Sequence, residues 1–438
     1  MNDRDVLLKG ATLLHLDPPK VERADVRVKA GVIEEVGHGL SPAGDERLVD
    51  ESGALVMPGL VCGHHHLYSA LACGMPLPSE PPTSFADMLD KVWWRLDKAL
   101  DRESVEVSAL VGAVQALRSG CTTIIDHHAS PSFIDGSLEV MDAAVDGVGL
   151  RRVLCYEVTD RGGPEEAKAG QHAHLGMLRA GPTGMSAALV GVHASFTVSD
   201  ETLSACGRLA RDHGVGVHIH VGEAADDRAL TKEPLIDRLE RCGALLEKSV
   251  LAHCVHVAPD ELRRIEDAGA FIAHQARSNM NNAVGYAPTA RFPVDQTVLG
   301  TDGIDGDMLT ELKAAYFRAQ EAKAGLGPDR FLKMLTTGAR LAGELLGVKL
   351  GRIAPGYAAD LVMLDPLPGP PLSLHNLAAA LVFRLSPALV RSVMVGGRFL
   401  LKDRVPVHVD ESALAIRAER AAVDLWQRMR KLPVKEPV

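Results

Sequence analysis

From about residue 55 to about 305, short apolar runs alternate with longer amphipathic stretches. The apolar runs cover 55–62, 122–126, 152–158, 188–193, 215–220, 249–253, 270–274 and 297–302, and each reads as a strand. The stretches between them carry helix start and stop signals. Asp101 can cap a helix that runs to Gly120, Ser199 with Thr202 opens one that ends at Gly214, and Pro259-Asp260-Glu261 opens another. Strand–helix alternation predicts a parallel sheet, and eight units in roughly 250 residues match a closed (β/α)8 barrel. On alternation alone, a doubly wound open sheet remains an alternative.

The ends of the chain are patterned differently. Residues 1–54 alternate apolar and polar positions between glycine turns, and the same style resumes near 348. Val390 to Val395, the Gly396-Gly397 turn and Phe399-Leu400-Leu401 read as a hairpin. The expectation is a small β-sandwich assembled from both termini, 1–56 with 346–438, followed by an amphipathic helix at about 411–431. The span 57–345 is expected to form the barrel.

Most of the eight runs end in, or lead into, histidine or aspartate, among them His64 and His66, Asp126-His127-His128, His193, His220, His253 and Asp302. In a barrel the strand C-termini converge on one mouth, where catalytic groups sit. Within His64-His65-His66, strand alternation sends His64 and His66 one way and His65 the other. Two imidazoles on one face make half of a metal site, and His65 is expected to make a structural hydrogen bond instead. His218 and His220 repeat the spacing, with only His220 near the strand end and Glu223 three residues later. Imidazoles plus a carboxylate suit zinc or ferrous iron. A metal with one open position lowers the pKa of its water to roughly 7, and a nearby carboxyl group, here Glu223, can then move protons.

Composition narrows the setting. The 438 residues carry a net charge of -10 with no basic run, which argues against nucleic acid and an anionic membrane surface. No signal peptide or spanning segment is evident. Seven cysteines form no CxxC pair, which fits a reduced, cytoplasmic compartment.

The strings Pro58-Gly59-Leu60-Val61-x-x-His64-x-His66, His220-x-x-Glu223, Ala252-His253 and Gly300-Thr301-Asp302-Gly303 resemble the amidohydrolase superfamily, in its cytosine/guanine-deaminase and chlorohydrolase branch. Asp126-His127-His128-Ala129-Ser130-Pro131, Thr159-Asp160-Arg161, Val92-Trp93-Trp94-Arg95-Leu96-Asp97 and Ala276-Arg277-Ser278-Asn279-Met280-Asn281-Asn282 resemble its SsnA-type aminohydrolase group more narrowly.

The resemblance implies one divalent metal, zinc first and iron second, held by His64, His66, His220 and Asp302. It implies that His253 orients the attacking water or a substrate carbonyl, that Glu223 shuttles protons to a ring nitrogen and the departing amine, and that Asp302 also accepts a proton. Binuclear members use a lysine at the end of the fourth strand. Here that strand reads Leu189-Val190-Gly191-Val192-His193 without one, so a mononuclear site follows and His193 is free to touch substrate.

Arg277, Asn279, His128 and the Trp93-Trp94 pair are further candidates for substrate contact. For the tryptophans a core role is the commoner fate, and a lid over a flat ring is the alternative. His127 and His128 stand even between pocket and core. The expected function is hydrolytic deamination of an amino-substituted aromatic heterocycle of purine, pyrimidine or pterin type. Hydrolysis of a cyclic amide or halogenated ring is the alternative, and an inactive metal-binding scaffold is the reading from another class. The expected partner is a small heterocyclic molecule, with a symmetric homo-oligomer allowed.

Overall fold

The computed structural model describes residues 4–76 and 81–433. A nine-stranded sheet draws strands from both ends of the chain, with Leu361–Leu364 pairing antiparallel to Leu55–Pro58 and Val56 opposite Met363. The expected meeting of the termini therefore takes place in one sheet. Alternation explains its packing, because Val6, Leu8, Val26, Val28, Val56, Leu361 and Met363 all turn into a single apolar cluster.

Two parallel sheets follow. One contains Leu60–His65, Cys121–Asp126, Arg151–Leu154 and Ser186–Ala188; the other contains Val190–Ala194, Val217–Val221, Val250–His253, Phe271–His274 and Thr297–Leu299. These strands are buried almost throughout, as parallel strands with near-continuous apolar runs should be. Backbone hydrogen bonds run between the two sheets at both seams. Leu189 N–H donates to the Leu154 carbonyl at 3.1 Å and His193 N–H to the Val158 carbonyl at 2.9 Å. At the other side Thr301 N–H donates to the His64 carbonyl at 2.9 Å, beside a parallel bridge between His65 and Asp302.

The first predicted run divides in two. Leu55–Pro58 belongs to the nine-stranded sheet and Leu60–His65 to a parallel one, with Gly59 between them. A Cβ at Gly59 would stand 2.2 Å from Thr122 Oγ1, so only glycine lets the chain cross between sheets here. The predicted caps hold their helices: Asp101 accepts from Ser104 N–H at the start of Arg102–Arg118, and Ser199 from Thr202 N–H at the start of Asp200–Asp212. The last helix spans Glu411–Lys431 and docks on the first helical connection, where Trp426 donates to the Leu71 carbonyl at 2.9 Å. Among the described residues, no helix is long and apolar enough to cross a membrane.

One buried ion pair ties the parallel strands to the nine-stranded sheet. Arg151 Nε and Nη2 donate to the two Asp360 oxygens at 2.7 and 2.8 Å, and Asp360 also accepts from Gly396 N–H. Both side chains are buried, so removing one leaves the other charge uncompensated. Asp360→Ala is expected to lower unfolding stability by about 3–5 kcal/mol, read from the urea midpoint with no change in the site's metal content.

Candidate active site

The strand C-termini bring seven imidazoles and several carboxylates to one end of the parallel sheets. His64 and His66 turn inward, and His65 turns away to hydrogen bond Thr301 Oγ1 at 3.0 Å. Gly300 makes the approach of the last strand feasible, because a Cβ there would lie 2.8 Å from the His64 backbone.

Hydrogen-bond partners set the tautomers. The His66 Nδ1–H donates to the His127 carbonyl at 2.5 Å and the His220 Nδ1–H to the His193 carbonyl at 2.8 Å. A carbonyl can only accept, so both rings carry a proton on Nδ1 and turn Nε2 the other way. The same tautomer in His64 donates from Nδ1 to His218 Nε2 at 2.7 Å and leaves its buried Nε2 without a partner. Burial pushes the His64 pKa down to about 3 and that of His220 well below its usual value, whereas at His66 burial is outweighed by the Asp302 carboxylate, which raises the ring to about 9.

The Nε2 atoms face one another. His66 Nε2 lies 3.2 Å from His220 Nε2, and Asp302 Oδ1 lies 3.1 Å from His66 Nε2 and 3.7 Å from His64 Nε2. Buried imidazoles and a carboxylate converging on one point call for a positive charge among them, which a proton on His66 or a divalent metal in its place supplies, and the unpartnered His64 Nε2 fits the metal. Two overlapping groups have ligand atoms within 4.8 Å of one another: His64, His220, His253 and Asp302, and His66, His127 and His220.

The neighbouring groups are held from behind. His253 donates from Nδ1 to Asn279 Oδ1 at 2.8 Å, which leaves Nε2 bare at 3.5 Å from Glu223 Oε2 and 3.8 Å from Asp302 Oδ2. Ser278 donates to Asp302 Oδ2. Asn282 Nδ2 donates to Glu223 Oε1 at 3.3 Å, and Glu223 N–H donates to Asp227 Oδ2 at 2.9 Å. Burial first, then the Asp302 and Asp227 charges, push the Glu223 carboxyl well above its usual range. His253 and Asp302 both have left-handed backbones, at φ 74° and 55°, a strain that clusters at functional sites.

A cavity of ≈ 430 Å³ opens over these groups. Of the sequence candidates, His66, His193, His220, Glu223, Asp302, Trp93 and Trp94 line it. Both tryptophans lie where a π turn, Leu89–Trp93, meets the helix Trp94–Ala99, and the Arg161 guanidinium sits 5.0 Å over the Trp94 ring.

Five candidates lie off the cavity lining: His64 and His253, which stand behind it, and three expected substrate contacts. Arg277 is taken up by Asp305, at 2.6 and 2.9 Å, and by Glu311, at 2.6 Å, so its fork is filled within the protein. Asn279 sits behind His253. His128 bonds Ser130 Oγ at 2.8 Å and is fully buried.

Sequence reasoning missed Glu157, Asp97 and His218. Glu157 stands next to last in the third apolar run and lines the cavity, a signal that counting acids near strand ends beyond aspartate would have caught. Asp97 lies one helical turn after Trp93 and Trp94.

The sequence pattern of the amidohydrolase family matches residues 55–400. The chain belongs to the amidohydrolase family. It is 30% identical over 392 residues to a 5'-deoxyadenosine deaminase of Methanopyrus kandleri, covering 85% of this chain and 86% of that protein. It is 29% identical over 448 residues to a 5-methylthioadenosine/S-adenosylhomocysteine deaminase of Pelotomaculum thermopropionicum, covering 97% and 99%. Its fold is similar to that of an adenosine deaminase of Xanthomonas campestris with bound zinc, at a TM-score of 0.83 and 24% identity, over 98% of this chain and 99% of that one.

His218 touches no cavity surface yet orients His64. Partners of this kind are typically worth 10–100-fold in metal affinity. His218→Ala is expected to weaken zinc binding by about that factor, roughly 10–100-fold, in competition against a calibrated chelator, while the protein stays folded by circular dichroism.

Proposed function

We propose that this chain is a metal-dependent hydrolase that deaminates an amino-substituted aromatic heterocycle and releases ammonia. The observation that carries the reading is the placement of converging imidazoles and Asp302 beside Glu223, a buried carboxyl pushed well above its usual range, at one cavity. Among purine, pyrimidine and pterin substrates, the names of the relatives put adenosine-type nucleosides first for testing.

In this reading His64, His66, His220 and Asp302 hold one divalent ion, zinc before iron, since imidazole and carboxylate suit both. The zinc in the Xanthomonas campestris structure supports that order. When bound, the ion would lower the pKa of a water to roughly 7 and so supply a nucleophile at neutral pH.

The protein's own groups do the rest. The bare Nε2 of His253 accepts a hydrogen bond from the attacking water and sets its direction. Asp302 takes up a proton, with Ser278 steadying its second oxygen. Glu223 gives its proton to a ring nitrogen, is reprotonated by the proton that Asp302 took from the attacking water, and gives that one to the departing amine; the hydroxyl proton released as the new C=O forms restores Glu223. His193 and the two tryptophans border the space for the ring, whose largely apolar walls keep bulk water out. Ammonia leaves only after protonation, whereas chloride does not require it, so a proton-holding Glu223 favours deamination over dechlorination. The intact ligand set argues likewise against an inactive scaffold.

The same reading joins the two parallel sheets into one closed (β/α)8 barrel over 57–345, supported by the hydrogen bonds at both seams. It sets 1–56 with 346–438 apart as a composite β domain, supported by the shared nine-stranded sheet. Seven free thiols support a cytoplasmic setting, and a symmetric homo-oligomer remains part of the proposal.

Glu223→Gln is expected to retain its metal by elemental analysis and to lose about 10²–10⁴-fold in ammonia release from the nucleoside that the wild type turns over best. Unchanged turnover would remove Glu223 from its role. Stripping the metal with a chelator is expected to abolish ammonia release, and adding zinc back to restore it. Chloride or a ring-opened product in place of ammonia would point to the alternative reactions.

A further inference from the structure

We propose that Asp97 and Glu157 form a cation-binding wall of the cavity that selects substrates carrying a positively charged nitrogen group away from the reacting carbon. The inference rests on the deaminase reading for the position of that carbon and on side-chain geometry for the wall.

Both residues line the cavity and are buried, at 2% and 3% exposure. Asp97 Oδ1 has no hydrogen-bond partner among the described residues. The nearest cation is Arg161, which reaches Asp97 Oδ2 at 3.4 Å from both Nη atoms and Glu157 Oε1 at 3.4 Å. Charge-assisted bonds are usually about 2.7–2.9 Å, so one guanidinium is stretched between two carboxylates.

Glu157 has neighbours beyond those of Asp97: although burial lifts it, His193, His127 and Arg161 hold the Glu157 carboxyl well below its usual range. His127 commits its Nε2–H to the His218 carbonyl at 3.1 Å and places Nδ1 3.3 Å from Glu157 Oε2. His193 commits its Nδ1–H to Thr197 Oγ1 at 2.7 Å, and that hydroxyl donates onward to the Ala194 carbonyl at 3.0 Å. The His193 Nε2 is therefore bare, 3.6 Å from Glu157 Oε1. Two buried carboxylates share one guanidinium, and Asp97 Oδ1 is the oxygen left without a donor. A buried acceptor without a donor is costly, and a buried charge without a counter-charge more so.

A protonated amine or an amidinium supplies both a charge and several N–H donors. A neutral hydroxyl supplies donors without the charge, and an anion is repelled. The aromatic wall formed by Trp94, itself carrying Arg161, continues the cation-friendly surface.

The test uses the full-length zinc-loaded protein and three compounds that share one base and sugar: 5'-amino-5'-deoxyadenosine, 5'-deoxyadenosine and adenosine 5'-monophosphate. Affinity is read by calorimetry and turnover by ammonia release. The amine is expected to exceed the deoxy compound by roughly tenfold to a hundredfold in affinity and in kcat/KM, with the phosphate weakest. Asp97→Asn and Glu157→Gln, checked for folding and metal content, are expected to bring the amine-to-deoxy ratio close to one. Equal or weaker binding of the amine by the wild type overturns the inference, whatever the variants do. So does a second equivalent of metal that is lost in Glu157→Gln, because the wall would then hold an ion instead of substrate. The expected binding order without any ammonia would leave the wall standing and reject the deaminase reading.

Discussion

Three imidazole nitrogens turned toward one carboxylate oxygen are the constraint around which this end of the molecule is built. The arrangement is held from behind, because each ring has committed its Nδ1 proton to a partner and has only Nε2 left to face the others. Two of those protons are fixed by main-chain carbonyls, of His127 and His193, and each carbonyl belongs to the end of a neighbouring parallel strand. Tautomer choice therefore depends on strand register. A slip of one residue between strands would reverse side-chain facing and remove the carbonyl that orients the ring. The close approach of Gly300 to His64 and the left-handed backbone of Asp302 belong to the same requirement, since the last strand must deliver its carboxylate within reach of the first.

Much of this was legible in the sequence, for reasons that can be stated residue by residue. Parallel strands buried on both faces leave continuous apolar runs, so their positions stood out, and polar residues at their ends could only be functional or costly. Period-two facing separated His64 and His66 from His65, which bonds Thr301. The boundary at Gly59 was blurred because Leu55–Pro58 and Leu60–His65 are both apolar and share one direction of chain, while the change of sheet depends on a steric fit to Thr122. The shape of the terminal β region is a matter of pairing partners more than 300 residues apart, such as Val56 and Met363, which local pattern does not encode.

Arg277 shows where residue chemistry without geometry falls short. A guanidinium following a strand end is a reasonable partner for an anionic substrate, yet here Asp305 and Glu311 fill its fork. Two acids about thirty residues further along that meet an arginine in space leave no local signal in a single sequence. Glu157 is the converse case. It stands near the end of an apolar run, as His193 and His220 do, but its importance depends on which ring nitrogens face it, and those follow from hydrogen bonds made on the far side of each imidazole.

The two ends of the cavity can be understood through one physical quantity, the supply of protons to buried oxygens. At the metal end Glu223 lies near Asp302 and Asp227, and burial beside those charges keeps its proton in place, which is what an acid for a departing amine requires. At the other end burial lifts the Asp97 carboxyl to about 7, with Arg161 pulling in the opposite direction. Its ionised form is therefore costly unless positive charge arrives. A substrate that brings a cation to Asp97 and an amine to Glu223 meets an ionised carboxylate at one end and a protonated carboxyl at the other. A neutral or anionic molecule of the same shape satisfies only the second, so the wall can discriminate between substrates whose reacting ends are identical.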